Sequence, residues 1–458
     1  MIANILSPKS WAKRTFAQAD LGDKRRSKRT VEVAARIMRN PSASLPAQMG
    51  SSKMLKALYR LLREEDVTHK ALMESHFQKT LQAARQTPLV LMVQDTTGLD
   101  YTHHPSTKGL SSIGNENGKG FLLQTVLAVV PSPRKVLGIA YQEPFLRKKA
   151  PEGEDCKKRQ KRPRESQAWS RAAKAVGSPP RKGLWVHVGD RYSDIFEFME
   201  TCRQQGAHFL VRAAQDRRVE DSDEVLNHLF PLVRSLPAKG KKTIDLPATH
   251  KRAARRAHLR ISFGPVTIKP PKHSPHKAPL DVWVIRVWEV NPPVDVEEPL
   301  EWILITSVPT QTLTEAWERV DWYTCRWVVE DYHQCLKTGC SMEERQLQDG
   351  EGLMRLLGLL AAVAVRLLQL REIARLNPER LAQEALPEEL VRVVALLAGV
   401  SPKALTVGDL WRQVAQLGGY LGRRGDGPPG WKTLWRGWLY VQTLLEGVRL
   451  SARLPPSS

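Results

Sequence analysis

Cysteine is scarce in this sequence, and none of it is arranged in pairs. The 458-residue chain has five cysteines, an odd number, and none of them forms a C-x-x-C motif. This argues against a zinc ribbon and against a disulfide framework. The five are Cys156, Cys202, Cys325, Cys335 and Cys340. We therefore expect the protein to work in a reducing compartment.

Long apolar runs are also missing. The first residues, MIANILSPKSWAKR, lack the apolar centre of a secretory signal. The most apolar stretch, from Leu353 to Leu370, is interrupted by Arg355 and Arg366, which indicates a buried helix rather than a membrane span. We expect a soluble, cytoplasmic protein with no membrane partner.

Acidic residues are outnumbered by basic ones. The chain has 70 Lys and Arg against 48 Asp and Glu, a net charge of +22. Such an excess favours a polyanionic partner, nucleic acid before a membrane surface, because neutralised phosphates release counterions. The charge-dense segment 152–164 is a candidate for non-specific DNA contact. Ribosomal, nuclease and peripheral membrane proteins share this balance, so it indicates only a broad class.

The stretch from Asp321 to Cys340, DWYTCRWVVEDYHQCLKTGC, has an unusual polar pattern. If it forms one helix, four of its polar side chains fall within roughly a 60° arc. These are Tyr323, Arg326, Glu330 and Lys337. A carboxylate between cations and a hydroxyl suits a site that holds a divalent metal beside a phosphate backbone. The simpler interpretation is a solvated face with salt links, and this segment alone does not decide between the two.

An apolar run, PLVLMVQDTTG, begins at Pro88 and predicts a buried strand that ends at Asp95. An acid at the carboxyl end of a buried strand lies where sheet proteins commonly place their chemistry. Two further strands are predicted from GFLLQTVLAVV and KVLGIAYQEPF, which are joined by the turn residues PSPR. Three antiparallel strands that open with an acid-tipped one are typical of an RNase H-like core.

Asp190 repeats the arrangement of Asp95. The stretch GLWVHVGDRYSDIFEFMETCRQQG predicts a strand, an acidic turn and a helix. A structural alternative is that Ser193 or Asp194 caps the helix while Asp190 stabilises the turn. The order of Asp95, Asp190 and Glu330 along the chain favours the catalytic interpretation, since three carboxylates can hold a metal pair.

The spacing Tyr-x2-Arg-x3-Glu-x6-Lys at 323–337 resembles the signature of bacterial DDE transposases of the insertion-sequence-four family. The resemblance extends from about Trp11 to Leu450. It implies an α/β fold with an RNase H-like mixed-sheet core and an inserted antiparallel β subdomain, flanked by N- and C-terminal helical domains. The implied domains are a DNA-end-binding domain at 1–85, a catalytic domain at 86–375 with its insertion at about 214–299, and a dimerisation domain at 376–458.

The resemblance also implies roles for individual residues. Asp95, Asp190 and Glu330 would be catalytic and would hold two Mg²⁺ ions, for which Mn²⁺ can substitute. The implied DNA contacts are Tyr323, Arg326, Lys337, Arg212, Trp302, Arg29, Arg60 and Lys53. Trp302 would stack on a base flipped out of the transposon end, although core burial is the ordinary fate of such a residue. Arg29, Lys53 and Arg60 lie in segments with helical spacing, where a solvated helix surface is the alternative. His103 and His104 near Asp95 are expected to be loop residues, because Mg²⁺ prefers oxygen ligands.

The expected function is cut-and-paste DNA transposition by a nucleoid-associated homodimer. The protein would bind terminal inverted repeats, free a 3′-hydroxyl, pass through a hairpin intermediate and join the ends to target DNA. Two alternatives remain open. An RNase H-like nuclease or resolvase would share the acids without joining DNA, and a DNA-binding relative would no longer cut it.

Overall fold

The computed structural model describes most of the chain. The described residues are 8–114, 117–148, 151, 153, 155, 164–220, 226–246, 254–272, 274–293, 296, 298–376, 378–423, 426 and 429–452. Cys156 and most of the charge-dense segment 152–164 lie outside the described residues. The DNA contact predicted for that segment therefore stays a prediction. The other four cysteines are buried, and none of them forms a disulfide in the described part of the chain.

Five helices open the chain, as the apolar periodicity predicts. They are α1 (Pro8–Phe16), α2 (Lys24–Arg39), α3 (Leu45–Met49), α4 (Ser52–Leu61) and α5 (His69–Arg85). Four of the five begin at a residue whose side chain accepts a backbone N–H of the first turn, which satisfies a donor that the helix itself cannot. These caps are Asp23, Ser44, Ser51 and Thr68. Short polar residues in the sequence therefore determine where the helices start.

Ten described strands form one mixed sheet. They are β1 (Leu89–Asp100), β2 (Ser111–Ile113), β3 (Gly118–Pro131), β4 (Arg134–Phe145), β5 (Leu184–Gly189), β6 (His208–Arg212), β7 (Gly240–Leu246), β8 (Arg255–Ile268), β9 (Leu280–Glu289) and β10 (Glu301–Thr306). Their order is β2-β3-β1-β5-β6-β10-β9-β8-β7, with β4 also paired to β3. Strands β1, β5 and β6 run parallel, and the other pairs are antiparallel. The predicted RNase H-like mixed sheet is confirmed.

The structure corrects one strand boundary and shows how the strands of the predicted insertion pair. Strand β1 does not end at Asp95 but runs on to Asp100, because β3 continues to pair with it as far as Gly120. Strands β7, β8 and β9 of the insertion are antiparallel, as expected, and they extend the central sheet through β10 rather than forming a separate one.

Helices cover the sheet and form the C-terminal region. They are α6 (Gln167–Val176), α7 (Phe196–Gln204), α8 (Leu229–Ser235), α9 (Leu313–Thr324), α10 (Trp327–Gln334), α11 (Gly350–Leu376), α12 (Ala382–Ala385), α13 (Glu388–Ala398), α14 (Val407–Leu417) and α15 (Trp431–Ser451). Helix α11 is buried over most of its length, as its apolar sequence predicts. Its Arg355 donates to the carbonyl of Leu62 at 2.9 Å, which ties the N-terminal helices to the core. No helix in the described part of the chain is long and apolar enough to span a membrane.

The prediction of a single helix from 321 to 340 is wrong. Helix α9 ends at Thr324, α10 begins at Trp327, and Cys335–Gly339 form a wider π-helical turn. At the junction, the N–H groups of Cys325 and Arg326 bond to carbonyls three residues back, so the chain tightens there. The four polar residues of this stretch therefore do not share one straight face.

Candidate active site

Strand register brings Asp95 and Asp190 together. In the parallel pair β1–β5, Val93 lies opposite Val188, so the residues two positions further on, Asp95 and Asp190, are level on neighbouring strands. Neighbouring strands are about 4.8 Å apart. Asp190 directly follows the last residue of β5. Two carboxylates separated by most of a domain in sequence thus meet at the carboxyl end of β5.

Glu330 approaches from the first turn of α10. Its Oε1 lies 2.6 Å from Nη1 of Arg326, one helical turn earlier. The Arg326 side chain is only 11% exposed, whereas that of Glu330 is 50% exposed. The guanidinium is therefore held in place while the carboxylate can turn toward solvent or toward the aspartates.

The pKa values of Asp95 and Asp190 show the effect of placing negative charges close together in a buried site. Burial, followed by the negative charge of Asp190, raises the pKa of Asp95 to about 7. Burial likewise raises the pKa of Asp190, and the charge of Glu330 acts in the same direction. Arg326 opposes the shift at both aspartates. Carboxylates that disfavour each other's ionisation are stabilised by a divalent cation placed among them.

The donor atoms of the two aspartates fit a hard cation. Asp95 Oδ1 accepts the N–H of Thr96 at 2.8 Å and Asp190 Oδ1 accepts that of Tyr192 at 2.9 Å, which orients both carboxylates. Among the residues described, no group of three or more His, Cys, Asp or Glu side chains is assembled so that it could hold a metal ion. In this structure the Glu330 carboxylate is instead paired with Arg326.

An aromatic cluster lies beside the carboxylates. The ring of Trp302 on β10 is 5.2 Å from that of Tyr323 and 5.5 Å from that of Trp327. Tyr323 is buried, whereas Trp302 is only half-buried, so core packing does not account for the whole of its ring. Arg212 on β6 donates to the carbonyl of Glu301 at 3.0 Å and lies close to the Tyr323 hydroxyl.

Trp327 belongs to this cluster, and the sequence interpretation missed it. Its ring is 40% exposed, and the guanidinium of Arg326 lies 4.7 Å from the ring centre. Its position directly after Arg326 in the signature was the available signal. A half-exposed indole under an arginine offers a flat surface for a base.

Comparison with known protein families identifies three domains. A transposase DNA-binding model matches residues 8–67, a transposase DDE domain model matches residues 174–366, and a transposase Tn5 dimerisation domain model matches residues 362–455. The chain carries the domains of a DDE transposase. The DDE domain supports a nuclease or transposase activity that depends on a divalent metal. The other two domains support DNA binding and dimer formation. The DDE match includes Asp190 and Glu330 but begins after Asp95.

Lys337 is held against strand β1. Its ammonium group donates to the carbonyl of Gly98 at 2.6 Å and lies 3.1 Å from Oε1 of Glu343. It therefore contacts the outer part of β1, three residues beyond Asp95. His104 bonds to the carbonyl of Glu343 at 3.0 Å, as befits a loop residue.

The imidazole of His333 lies close to the carboxylate of Asp95. Its Nδ1 lies 3.7 Å from Oδ2 of Asp95, and Nε2 lies 3.4 Å from the hydroxyl of Thr125. Burial lowers the pKa of His333 to about 3, so the ring is neutral and forms no ion pair with Asp95.

Three basic side chains lie on the surface of the segment that matches the transposase DNA-binding model. Arg29 lies on α2, and Lys53 and Arg60 lie on the neighbouring α4. All three are exposed, and within the described ranges none of them is in an ion pair. Unpaired cations on adjacent helices form an electrostatic surface suited to phosphates.

The alternative for the Asp190 turn was that Asp190 stabilises the turn while Ser193 or Asp194 caps the following helix. The first half of it is right and the second half is wrong. Asp190 does accept a turn N–H, from Tyr192. Neither Ser193 nor Asp194 caps α7, whose N-cap residue is Ile195. Asp194 is instead fully buried, paired with Arg217 at 2.7 Å. The two aspartates therefore differ in role: Asp190 lies at the candidate site, whereas Asp194 forms a buried ion pair with Arg217.

Proposed function

We propose that this protein is a cut-and-paste DNA transposase of the insertion-sequence-four family, closely similar to the transposase of transposon Five. The observation that supports this most is the level placement of Asp95 and Asp190 on adjacent strands, with Glu330 and its arginine beside them. The proposed division is an end-binding domain at 1–85, a catalytic domain at 86–375 with its insertion at about 214–299, and a dimerisation domain at 376–458.

Asp95, Asp190 and Glu330 would hold two Mg²⁺ ions, or Mn²⁺ in their place. When bound, the ions would activate the attacking oxygen and stabilise the leaving oxygen of an in-line phosphoryl transfer. The protein's own contribution is positional. Movement of Glu330 toward the aspartates would release the Arg326 guanidinium, which could then bind a DNA phosphate together with Tyr323.

The proposed reaction has four steps on each transposon end. Water cleaves one strand and leaves a 3′-hydroxyl, and this hydroxyl attacks the opposite strand to form a hairpin and release the flanking DNA. Water then opens the hairpin, and the freed 3′-hydroxyl attacks target DNA. Arg212 would grip the backbone near a displaced base, Trp302 would stack on that base with Trp327 beside it, and Lys337 would contact a phosphate further along β1.

A direct test uses DNA that flanks this reading frame, which should carry short inverted repeats. The purified protein is incubated with the end-labelled fragment, Mg²⁺ or Mn²⁺, and an unlabelled plasmid. Excised fragments, hairpin ends and joined products support the proposal. Cleavage without joining would favour a nuclease or resolvase, and binding without cleavage would favour a relative that has lost catalysis.

Metal binding should release protons below about pH 7. Because Asp95 has a pKa raised to about 7, it is largely protonated below that pH, and a cation must displace the proton. Above that pH the carboxylate is already ionised. Calorimetric titration with Mn²⁺ in two buffers of different ionisation enthalpy should show more proton release about one pH unit below 7 than one unit above it.

The control for this measurement is Asp95→Asn, which cannot ionise. It should bind Mn²⁺ weakly and show a smaller change in proton release across the same range, to which only Asp190 would contribute. Equal proton release by the unaltered protein on both sides of pH 7 would contradict the role given to Asp95.

The exposed cations of the N-terminal helices should determine the salt dependence of DNA binding. Replacing Arg29, Lys53 and Arg60 together with glutamine should weaken binding and flatten the plot of log affinity against log salt by about 0.9 per lost phosphate contact. Fluorescence anisotropy on a labelled end fragment at several salt concentrations measures this slope. A matched control is the triple variant Lys174→Gln, Arg181→Gln and Lys182→Gln, which removes the same charge near α6. An equal loss of slope in both variants would indicate a general charge effect.

A further inference from the structure

Tyr192 presents a nearly bare aromatic ring directly after the proposed metal ligand Asp190. Its side chain is 81% exposed, more than that of any other described aromatic residue. It makes no ring contact with another aromatic side chain in the described part of the chain. The function proposed above gives it no role.

The backbone under Tyr192 is firmly held. Its own N–H donates to Asp190 Oδ1 at 2.9 Å, and the hydroxyl of Ser193 donates to the carbonyl of Asp190 at 2.6 Å. A Cβ added at Gly189 would lie 2.4 Å from Ser193 Oγ, so the chain is tightly packed on that side. The backbone that carries the ring is therefore held next to the Asp190 carboxylate. A base stacked on the ring would lie close to the reacting phosphates.

The neighbouring residue adds a charge suited to the same ligand. Arg191 is exposed and precedes Tyr192 in a single 3₁₀ turn. Burial, together with the charges of Arg191 and Arg326, lowers the pKa of the Arg212 guanidinium, so the three arginines lie near one another. A concentration of cations beside a free ring matches a nucleotide, which offers a phosphate and a π face.

We propose that Tyr192 stacks on an unpaired DNA base beside the Asp190 carboxylate, while Arg191 contacts the adjoining phosphate. This subsite is separate from the Trp302 cluster, whose rings pack against one another and are partly buried. The inference rests on the proposed function, since it requires DNA with a displaced or single-stranded base in the active site. It assigns this turn a role in holding DNA strands that are opened during the reaction.

The test uses a DNA duplex with a single-stranded overhang whose first unpaired base is 2-aminopurine. Binding is measured without divalent metal, so no strand is cut, and a blunt duplex of the same sequence serves as reference. Tyr192→Phe keeps the aromatic ring on which a base can stack. Tyr192→Leu keeps an apolar side chain but has no aromatic ring. Tyr440→Leu, at an exposed tyrosine on α15, is the matched control. Because Tyr192 is exposed, neither substitution at 192 should disturb folding, which thermal unfolding checks.

The unaltered protein, Tyr192→Phe and Tyr440→Leu should all change the 2-aminopurine fluorescence. Tyr192→Leu should lose that change and bind the overhang on the order of 10-fold more weakly, with unchanged affinity for the blunt duplex. A leucine variant that keeps both signal and affinity would overturn the inference and leave the transposase proposal standing. An equal loss on both duplexes would also overturn it, by showing a contact that is not stacking. Failure of the unaltered protein to bind either duplex would overturn the inference and the proposed function together.

Discussion

Replacing Asp190 with asparagine should abolish metal-dependent DNA cleavage and joining, with a loss of roughly a thousand-fold or more in rate. The amide is nearly the same shape and can still accept the Tyr192 N–H that Asp190 Oδ1 accepts at 2.9 Å, so the turn should be preserved. The negative charge needed to hold a metal ion is lost. The measurement is the rate of product formation on a labelled end fragment, with DNA affinity determined in parallel.

A second readout separates this effect from damage to the fold. The charge of Asp190 is one cause of the raised pKa of Asp95, so that pKa should fall toward its usual value in the Asp190→Asn variant. Asp245→Asn is a suitable control, because that carboxylate is 84% exposed on β7 and far from β5 in the strand order. Normal cleavage by the Asp190→Asn protein would contradict its assignment as a metal ligand.

Replacing Asp194 with alanine should instead destabilise the protein, by about 3–5 kcal/mol in the free energy of unfolding. Asp194 is fully buried and lies 2.7 Å from Arg217, which is itself only 5% exposed. It also accepts the N–H groups of Ala214 and Gln215 at 2.7 and 2.8 Å. Its removal leaves a buried guanidinium without its counter-ion and two backbone donors without a partner.

Urea denaturation of the Asp194→Ala and Asp190→Asn variants beside the unaltered protein measures this contrast. Asp190→Asn should unfold close to the unaltered protein, while Asp194→Ala should unfold at a clearly lower urea concentration. A loss below about 1 kcal/mol for Asp194→Ala would show that Arg217 finds another partner. The two substitutions would thus have different effects: Asp190→Asn lowers the rate of cleavage, and Asp194→Ala lowers the free energy of unfolding.

Local pattern was enough for much of the fold. The apolar runs around Asp95 and before Asp190 are buried strands, and the helical spacing at either end of the chain corresponds to helices. The interruption at Cys325 and Arg326 was not predictable, because the helical wheel assumes one straight helix. The continuation of β1 to Asp100 was missed for a similar reason, since pairing with β3 extends it past the end of its apolar run.

The sequence by itself determined the fold class, the strands that bear the two aspartates and the spacing that links Glu330 to Arg326. The strands and the spacing depend on apolar periodicity and on neighbours one helical turn apart, which are local properties. The full fold class is what the resemblance of the chain to a transposase family implies. Only the tertiary structure decided that Asp95 is level with Asp190, that Asp194 holds Arg217, and that Lys337 reaches Gly98, which is 239 residues away in sequence. It also decided that the Tyr192 ring stays exposed while the Tyr323 ring is covered. Strand register, long-range partners and the exposure of a single side chain arise when distant segments pack together, so no local pattern in the chain encodes them.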